Sequence, residues 1–198
     1  MVRRQIDAYL TAVRMDPKRR HLFVEGLRDR NFLLWLCGNG VHSDLTVLTV
    51  DAVDFAVPVS GGNRGRLVEF AKIVEGKTTA IMFFADADYD LLLNKKPPGN
   101  VLLTDRRDIE GYIFNERAIG KILRLSLCTT EESKPLFNAI ISICKRVAAI
   151  RVFSEERGLK LPFQDTNLKR YISKGTNPML DEGAYIKALM QNGEISLS

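Results

Sequence analysis

Short apolar runs and longer amphipathic stretches alternate along this chain, and their spacing predicts strands followed by helices. Residues 21–24 (HLFV) form a compact apolar run ending at Glu25 and Gly26, and in the following RDRNFLLWLC the positions of Phe32, Leu33, Trp35 and Leu36 suit a helix laid on a sheet. Residues 45–53 (LTVLTVDAV) are rich in β-branched side chains and read as a second strand, after which SGGNRG (60–65) reads as a turn and RLVEFAKIVEG (66–76) as a helix closed by Gly76. In TTAIMFFADAD the run from Ala80 to Ala85 is almost continuously apolar, as expected of a central strand covered on both faces. Past the polar loop NKKPPGN, VLLTD reads as a fourth short strand and DIEGYIFNERAIGKILRL as a helix with a break near Gly111.

The C-terminal third changes character. Thr129 and Glu132 have capping-box spacing ahead of a long amphipathic helix reaching Arg157, with Leu136, Phe137, Ile140, Ile141, Cys144, Val147 and Ala148 at helical spacing and Gly158 and Pro162 as its stop. Residues 163–179 have no clear period, and DEGAYIKALMQ predicts a last short helix. The opening QIDAYLTAVRM predicts an amphipathic helix before Pro17, with Ile6, Leu10, Val13 and Met15 on its apolar side. Strands alternating with helices imply an α/β fold with a mostly parallel sheet, in which ligand sites form at the carboxyl ends of strands. The expected organisation is an N-terminal helix over 1–20, an α/β domain over 21–128 and a helical extension over 129–198.

With 198 residues, 45% of them apolar and 27% charged, the chain is long enough for a complete hydrophobic core. No apolar run approaches the roughly 20 residues needed to span a bilayer, and the N-terminal charges are too closely interleaved for a secretory signal, so a cytoplasmic protein without a membrane partner is expected. Cys37, Cys128 and Cys144 are far apart, odd in number and set among apolar residues, which predicts buried thiols rather than disulfides or a zinc site. The net charge of +5 favours approach to a polyanion. Cations crowd the first twenty positions (Arg3, Arg4, Arg14, Lys18, Arg19, Arg20) and recur at Lys95, Lys96, Arg106 and Arg107, beside the most acidic motifs. These last four are the candidate contacts to a nucleic-acid backbone, with a solvated charged face as the alternative.

The acidic motifs fall at the predicted strand ends: Glu25 after the first, Asp86 and Asp88 after the third, Asp105 after the fourth. Carboxylates gathered at one sheet edge repel one another unless a cation joins them, and Mg²⁺ prefers such oxygen ligands. The D-x-D spacing puts Asp86 and Asp88 on one side of an extended segment, and Asp90 continues that side. Asp at a strand end also caps turns and helices, so each aspartate has a structural reading beside the metal one. Glu25 has the weaker structural reading, because a carboxylate between a buried strand and a glycine is costly without a partner. His21 and His42 lack metal-ligand spacing and read as partly buried or solvated. SGGNRG could cradle phosphate through backbone N–H groups, but it lacks the Walker A lysine and hydroxyl, and a plain β-α turn is the preferred reading.

FVEGLRD (23–29) and FFADADYD (83–90) resemble the glutamate and D-x-D motifs of the Toprim domain, in the same order and about sixty residues apart. The resemblance spans about residues 20–110, and LTDRRDIEGYIF (103–114) is similar to a feature of small bacterial Toprim-like proteins that include the nuclease subunit of OLD- and PARIS-type phage-defence systems, which acts beside an ABC-type ATPase. It implies a Toprim-like sheet of about four strands flanked by helices, and a nuclease that hydrolyses phosphodiesters of DNA or RNA, transfer RNA included, with Mg²⁺ or Mn²⁺. It further implies Glu25 as a metal-linked carboxylate acting as general acid or base, and Asp86 and Asp88 as catalytic metal ligands. Asp29 matches an acidic residue of the nuclease-type relatives and joins Asp90 as metal support. Asp105, Asp108 and Glu110 have no clear counterpart in the wider Toprim pattern, and form either a second metal position or helix caps. The expected partners are a nucleic-acid substrate and an ABC-type ATPase, with self-association as a further expectation. The competing expectation is a Toprim-fold module that keeps its carboxylates but acts by docking.

Overall fold

The computed structural model describes residues 3–38, 44–175 and 177–193, apart from the side chain of Cys37. The chain forms two compact units, 1–111 and 112–198. In the first, β1 (Arg4–Gln5) leads directly into α1 (Ile6–Met15), followed by β2 (Arg20–Val24), α2 (Leu27–Cys37), β3 (Leu45–Thr49), β4 (Val53–Asp54), α3 (Gly62–Val74), β5 (Ile81–Ala85) and β6 (Val101–Leu103). The main sheet has four strands in the order β3-β2-β5-β6, and every pairing is parallel, with Phe23 opposite both Leu48 and Phe83. The expected α/β architecture, a parallel four-stranded sheet flanked by helices, is the architecture found. Strands β1 and β4 pair in parallel as a separate small sheet.

Side chains alternate across a strand, so β2 and β5 each serve both faces of the sheet. On one face, Phe23, Ile81, Phe83 and Ala85 pack with Tyr9, Leu10 and Val13 of α1 and with Leu67, Phe70, Ala71 and Val74 of α3. The rings of Phe23, Phe70 and Phe83 meet at 4.8, 5.1 and 5.8 Å between centroids, with Tyr9 edge-on to Phe23 at 5.1 Å. Such aromatic pairs add about 0.5–1.5 kcal/mol each beyond their buried area. On the other face Val24, Val47 and Leu33 form a smaller core.

Several sequence expectations are corrected by packing. Among the described side chains of α2 only Leu33 is buried, while Trp35 and Leu36 are 75% and 62% exposed, because the smaller core needs a narrower contact than the run of apolar residues suggested. In α1 Tyr9 takes the buried place, its hydroxyl donating to the Ala52 carbonyl, and Met15 is exposed. The stretch after β6 divides into α4 (Glu110–Ile113) and α5 (Glu116–Lys121), which Asn115 caps by accepting from the Ala118 N–H, and a π-helical turn follows over Ile122–Ser126.

In the second unit α6 (Ser133–Arg157) is the long helix expected, ended by Gly158 in the left-handed conformation, φ 63°. Its N-cap is Glu132, and the Thr129 hydroxyl accepts from the Glu131 N–H, so no Thr129–Glu132 capping box forms. Its buried positions are Ala139, Ile143, Val147 and Ser154, a face rotated from the expected one. Ile143 and Val147 pack with Leu180 and with Tyr185 and Leu189 of α7 (Glu182–Asn192), which Asp181 caps through the Ala184 N–H. Cys128 and Cys144 are exposed free thiols, not buried ones, since Cys144 falls outside that face and Cys128 follows the π-helical turn. Among the described residues no helix is long and apolar enough to cross a membrane.

Candidate acidic site at the carboxyl edge of the sheet

The carboxyl ends of the adjacent, parallel strands β2 and β5 bring Glu25 and Asp86 to the same edge of the sheet. Glu25 is half-buried just beyond Val24, and Gly26 caps α2, its backbone N–H donating to Asp29 Oδ2 at 2.8 Å. Asp29 therefore closes the first turn of α2, where a carboxylate also complements the helix dipole. Asp86 is half-buried and accepts from the Ile109 N–H at 3.1 Å through Oδ1. The loop after β6 is tied to the loop after β5: the Thr104 hydroxyl accepts from the Ala87 N–H and donates to the Arg106 carbonyl, and the Asp88 N–H donates to the Arg107 carbonyl at 2.7 Å.

The electrostatics register the crowding. Asp86 is pushed up to about 6, first by burial and then by the charges of Asp29, Glu25 and Asp88, with the Ile109 N–H opposing. Glu25 is also raised, mainly by burial, against the favourable bond to Arg64 and with Asp88 and Asp29 adding to the rise. Burial raises Asp29, and the charge of Glu110 adds to that. Glu25, Asp29, Asp86 and Asp88 thus feel one another at a single sheet edge, with Glu110 at its margin. Raised carboxyls at one sheet edge favour proton sharing or an added cation.

Other expected site residues have different places. Asp88 has φ 45°, so the extended geometry that would align it with Asp86 ends at Ala87. Asp90 accepts from Arg64. Asp108 accepts from the Gly111 N–H at 3.0 Å and lies 3.7 Å from Arg107, a capping arrangement at the start of α4. Asp105 and Glu110 are exposed, as are Lys95, Lys96, Arg106 and Arg107, and the Arg107 guanidinium lies over the Tyr89 ring. His21 is buried with neither ring nitrogen hydrogen-bonded, and burial, followed by Arg19 and Arg4, lowers its pKa. His42 lies outside the described residues.

The residue that sequence reasoning missed is Arg64. Its Nη1 donates to Glu25 Oε1 at 2.8 Å and its Nη2 to Asp90 Oδ2 at 2.7 Å. Asn63 adds a bond from its amide to the Glu25 carbonyl at 2.8 Å. Both come from SGGNRG, whose second half is the first turn of α3 rather than part of a turn preceding it. Gly61 holds a left-handed φ of 83°, and a Cβ on Gly65 would fall 2.0 Å from the Ser60 carbonyl oxygen. The glycines thus let the chain fold tightly enough to aim Arg64 at Glu25. A glycine-rich turn after a strand signals such a site; which carboxylates its arginine meets is a tertiary matter.

The donor set, all carboxylate oxygen, suits a hard divalent cation in its chemistry. Among the described residues, no group of three acidic, histidine or cysteine side chains stands close enough together to hold one as the side chains lie. No protein-family model matches the sequence, and no curated protein matches it either.

Proposed function

We propose that this protein is a divalent-metal-dependent nuclease of the Toprim type that hydrolyses phosphodiester bonds of DNA or RNA. The observation that carries the reading is the convergence of Glu25, Asp29, Asp86 and Asp88 on one edge of a parallel sheet, with Asp86 raised to about 6 by burial and by its acidic neighbours. Partly buried carboxylates that repel one another are a poor structural device and a common catalytic one. A divalent cation, Mg²⁺ or Mn²⁺, would supply polarisation of a phosphoryl oxygen and a more acidic bound water. Glu25, Asp86 and Asp88 would hold it, with Asp29 in support, while Asp90 keeps Arg64 at the edge of the site. Glu25, its pKa raised by burial, would accept and return a proton. Lys95, Lys96, Arg106 and Arg107, exposed on the loops that follow β5 and β6, would meet the phosphate backbone.

The sequence resemblance supports a role in a phage-defence system, as a cytoplasmic effector controlled by an ABC-type ATPase, with transfer RNA among its substrates. A second reading, a non-catalytic Toprim-fold module that docks on such an ATPase or on nucleic acid, is favoured by the Arg64 bridge, because Glu25 already has a cation. Cleavage assays on DNA and transfer RNA with Mn²⁺, with and without the partner ATPase, separate the two. A nuclease cuts and loses cutting on Glu25→Ala; a docking module binds its partner without metal and cuts nothing under any of these conditions.

A further inference from the structure

We propose that Arg64 is an internal counter-ion of the acidic cluster, displaced from Glu25 when a divalent cation binds, so that guanidinium and cation compete for one carboxylate. The inference rests on the metal reading above and adds the residue that sets how readily the site fills. Arg64 belongs to the first turn of α3, and the tight approach of Gly65 to Ser60 fixes where that turn begins. From this fixed base its two terminal nitrogens reach different elements, Nη1 the glutamate after β2 and Nη2 the aspartate in the loop after β5. The planar fork of arginine can span two carboxylates in this way, whereas an ammonium is a single point charge. The side chains of Arg64, Glu25 and Asp90 are 24%, 24% and 26% exposed, so solvent screens these pairs less than pairs on the open surface.

The bridge is built for exchange. A carboxylate engaged by a guanidinium is a weaker metal ligand, so a cation that draws on the Glu25 carboxylate competes with the bond that Arg64 makes to Oε1. Asp90 provides the second anchor, so the guanidinium stays at the site edge when Glu25 leaves it.

The test is Mn²⁺ titration by calorimetry of the full chain as wild type, Arg64→Gln and Lys72→Gln, the last removing an exposed cation from the same helix, paired with Glu69 away from the site. Competition predicts that Arg64→Gln tightens Mn²⁺ binding roughly fivefold to tenfold, while Lys72→Gln changes it less than about twofold. With diamagnetic Mg²⁺ in place of Mn²⁺, the nitrogen NMR signals of the wild-type Arg64 guanidinium are expected to shift along the saturation curve that describes binding. If Arg64→Gln does not fold, Arg64→Lys, which cannot bridge both carboxylates, is expected to show a smaller gain in the same direction. Binding by the wild type with equal or weaker binding by the Arg64 variant overturns the competition and leaves the metal reading standing. Absence of binding in both overturns both.

Discussion

Glu25 and Asp86 are the residues on which the chemistry turns, and they differ in what their surroundings ask of them. Glu25 has a partner in Arg64, whereas the bond Asp86 accepts is from a backbone N–H. On the proposed reading Glu25→Ala, and the Asp86→Ala, Asp88→Ala double change, abolish Mn²⁺ binding by calorimetry. Asp86 also makes a prediction about pH. Its folded-state value of about 6 lies above its ordinary 3.8, so the folded chain holds this proton more tightly than the unfolded chain does. The metal-free protein therefore gains stability from this group below about pH 4 and loses it as pH rises towards 6. Asp86→Asn keeps an acceptor for the Ile109 N–H and removes the charge. It is expected to raise the melting temperature at pH 7.5 in chelator by a few degrees, on the order of 1 kcal/mol, with the gain vanishing near pH 4. For the wild type, apparent Mn²⁺ affinity falls about tenfold per pH unit below 6, because the cation must displace that proton.

At the scale of elements, the site is a property of parallel pairing. Adjacent parallel strands end on the same edge, so Glu25 and Asp86, distant in sequence, become neighbours once β2 and β5 pair. The turn into α3 then delivers the counter-charge, and its geometry leaves no room for a side chain at Gly65. Gly65→Ala forces Ser60 and the helix start apart and is expected to cost about 1–3 kcal/mol, read as a lowered melting temperature. It also moves Arg64 from Glu25, so the surviving folded fraction should bind Mn²⁺ more tightly than wild type. The strand ends of this edge were legible in the sequence because a buried strand writes itself as an apolar run, and its termination by Glu25 or Asp86 is then visible. The helix faces were less so. The apolar run in α2 named Trp35 and Leu36 as core, yet they are exposed, because which side of a helix is buried depends on the partner laid against it.

For the molecule as a whole, the net charge of +5 and the exposed cations of the loops after β5 and β6 bear on how a polyanion would approach. If Lys95, Lys96, Arg106 and Arg107 meet phosphates, replacing each pair by glutamine weakens binding of nucleic acid uniformly across sequences. The slope of log affinity against log salt should then fall by about one for each cation so replaced, measured by fluorescence anisotropy. An unchanged slope assigns these residues to a solvated face. The boundary between the two compact units falls between Gly111 and Tyr112, and α1 shares the core of the first, so the helix at the N-terminus is part of the sheet's packing. Sequence by itself determined the α/β class, the order of the four main-sheet strands along the chain and the acidic residues at strand ends, because periodicity and strand termination are local and each is written within a few residues. Tertiary structure alone decided that Glu25 meets Arg64, that Asp29 and Asp108 accept from the backbone at helix starts, and that Asp86 is the most perturbed carboxyl. Those outcomes depend on burial and on charges brought close by folding, and both are sums over residues far apart in the chain.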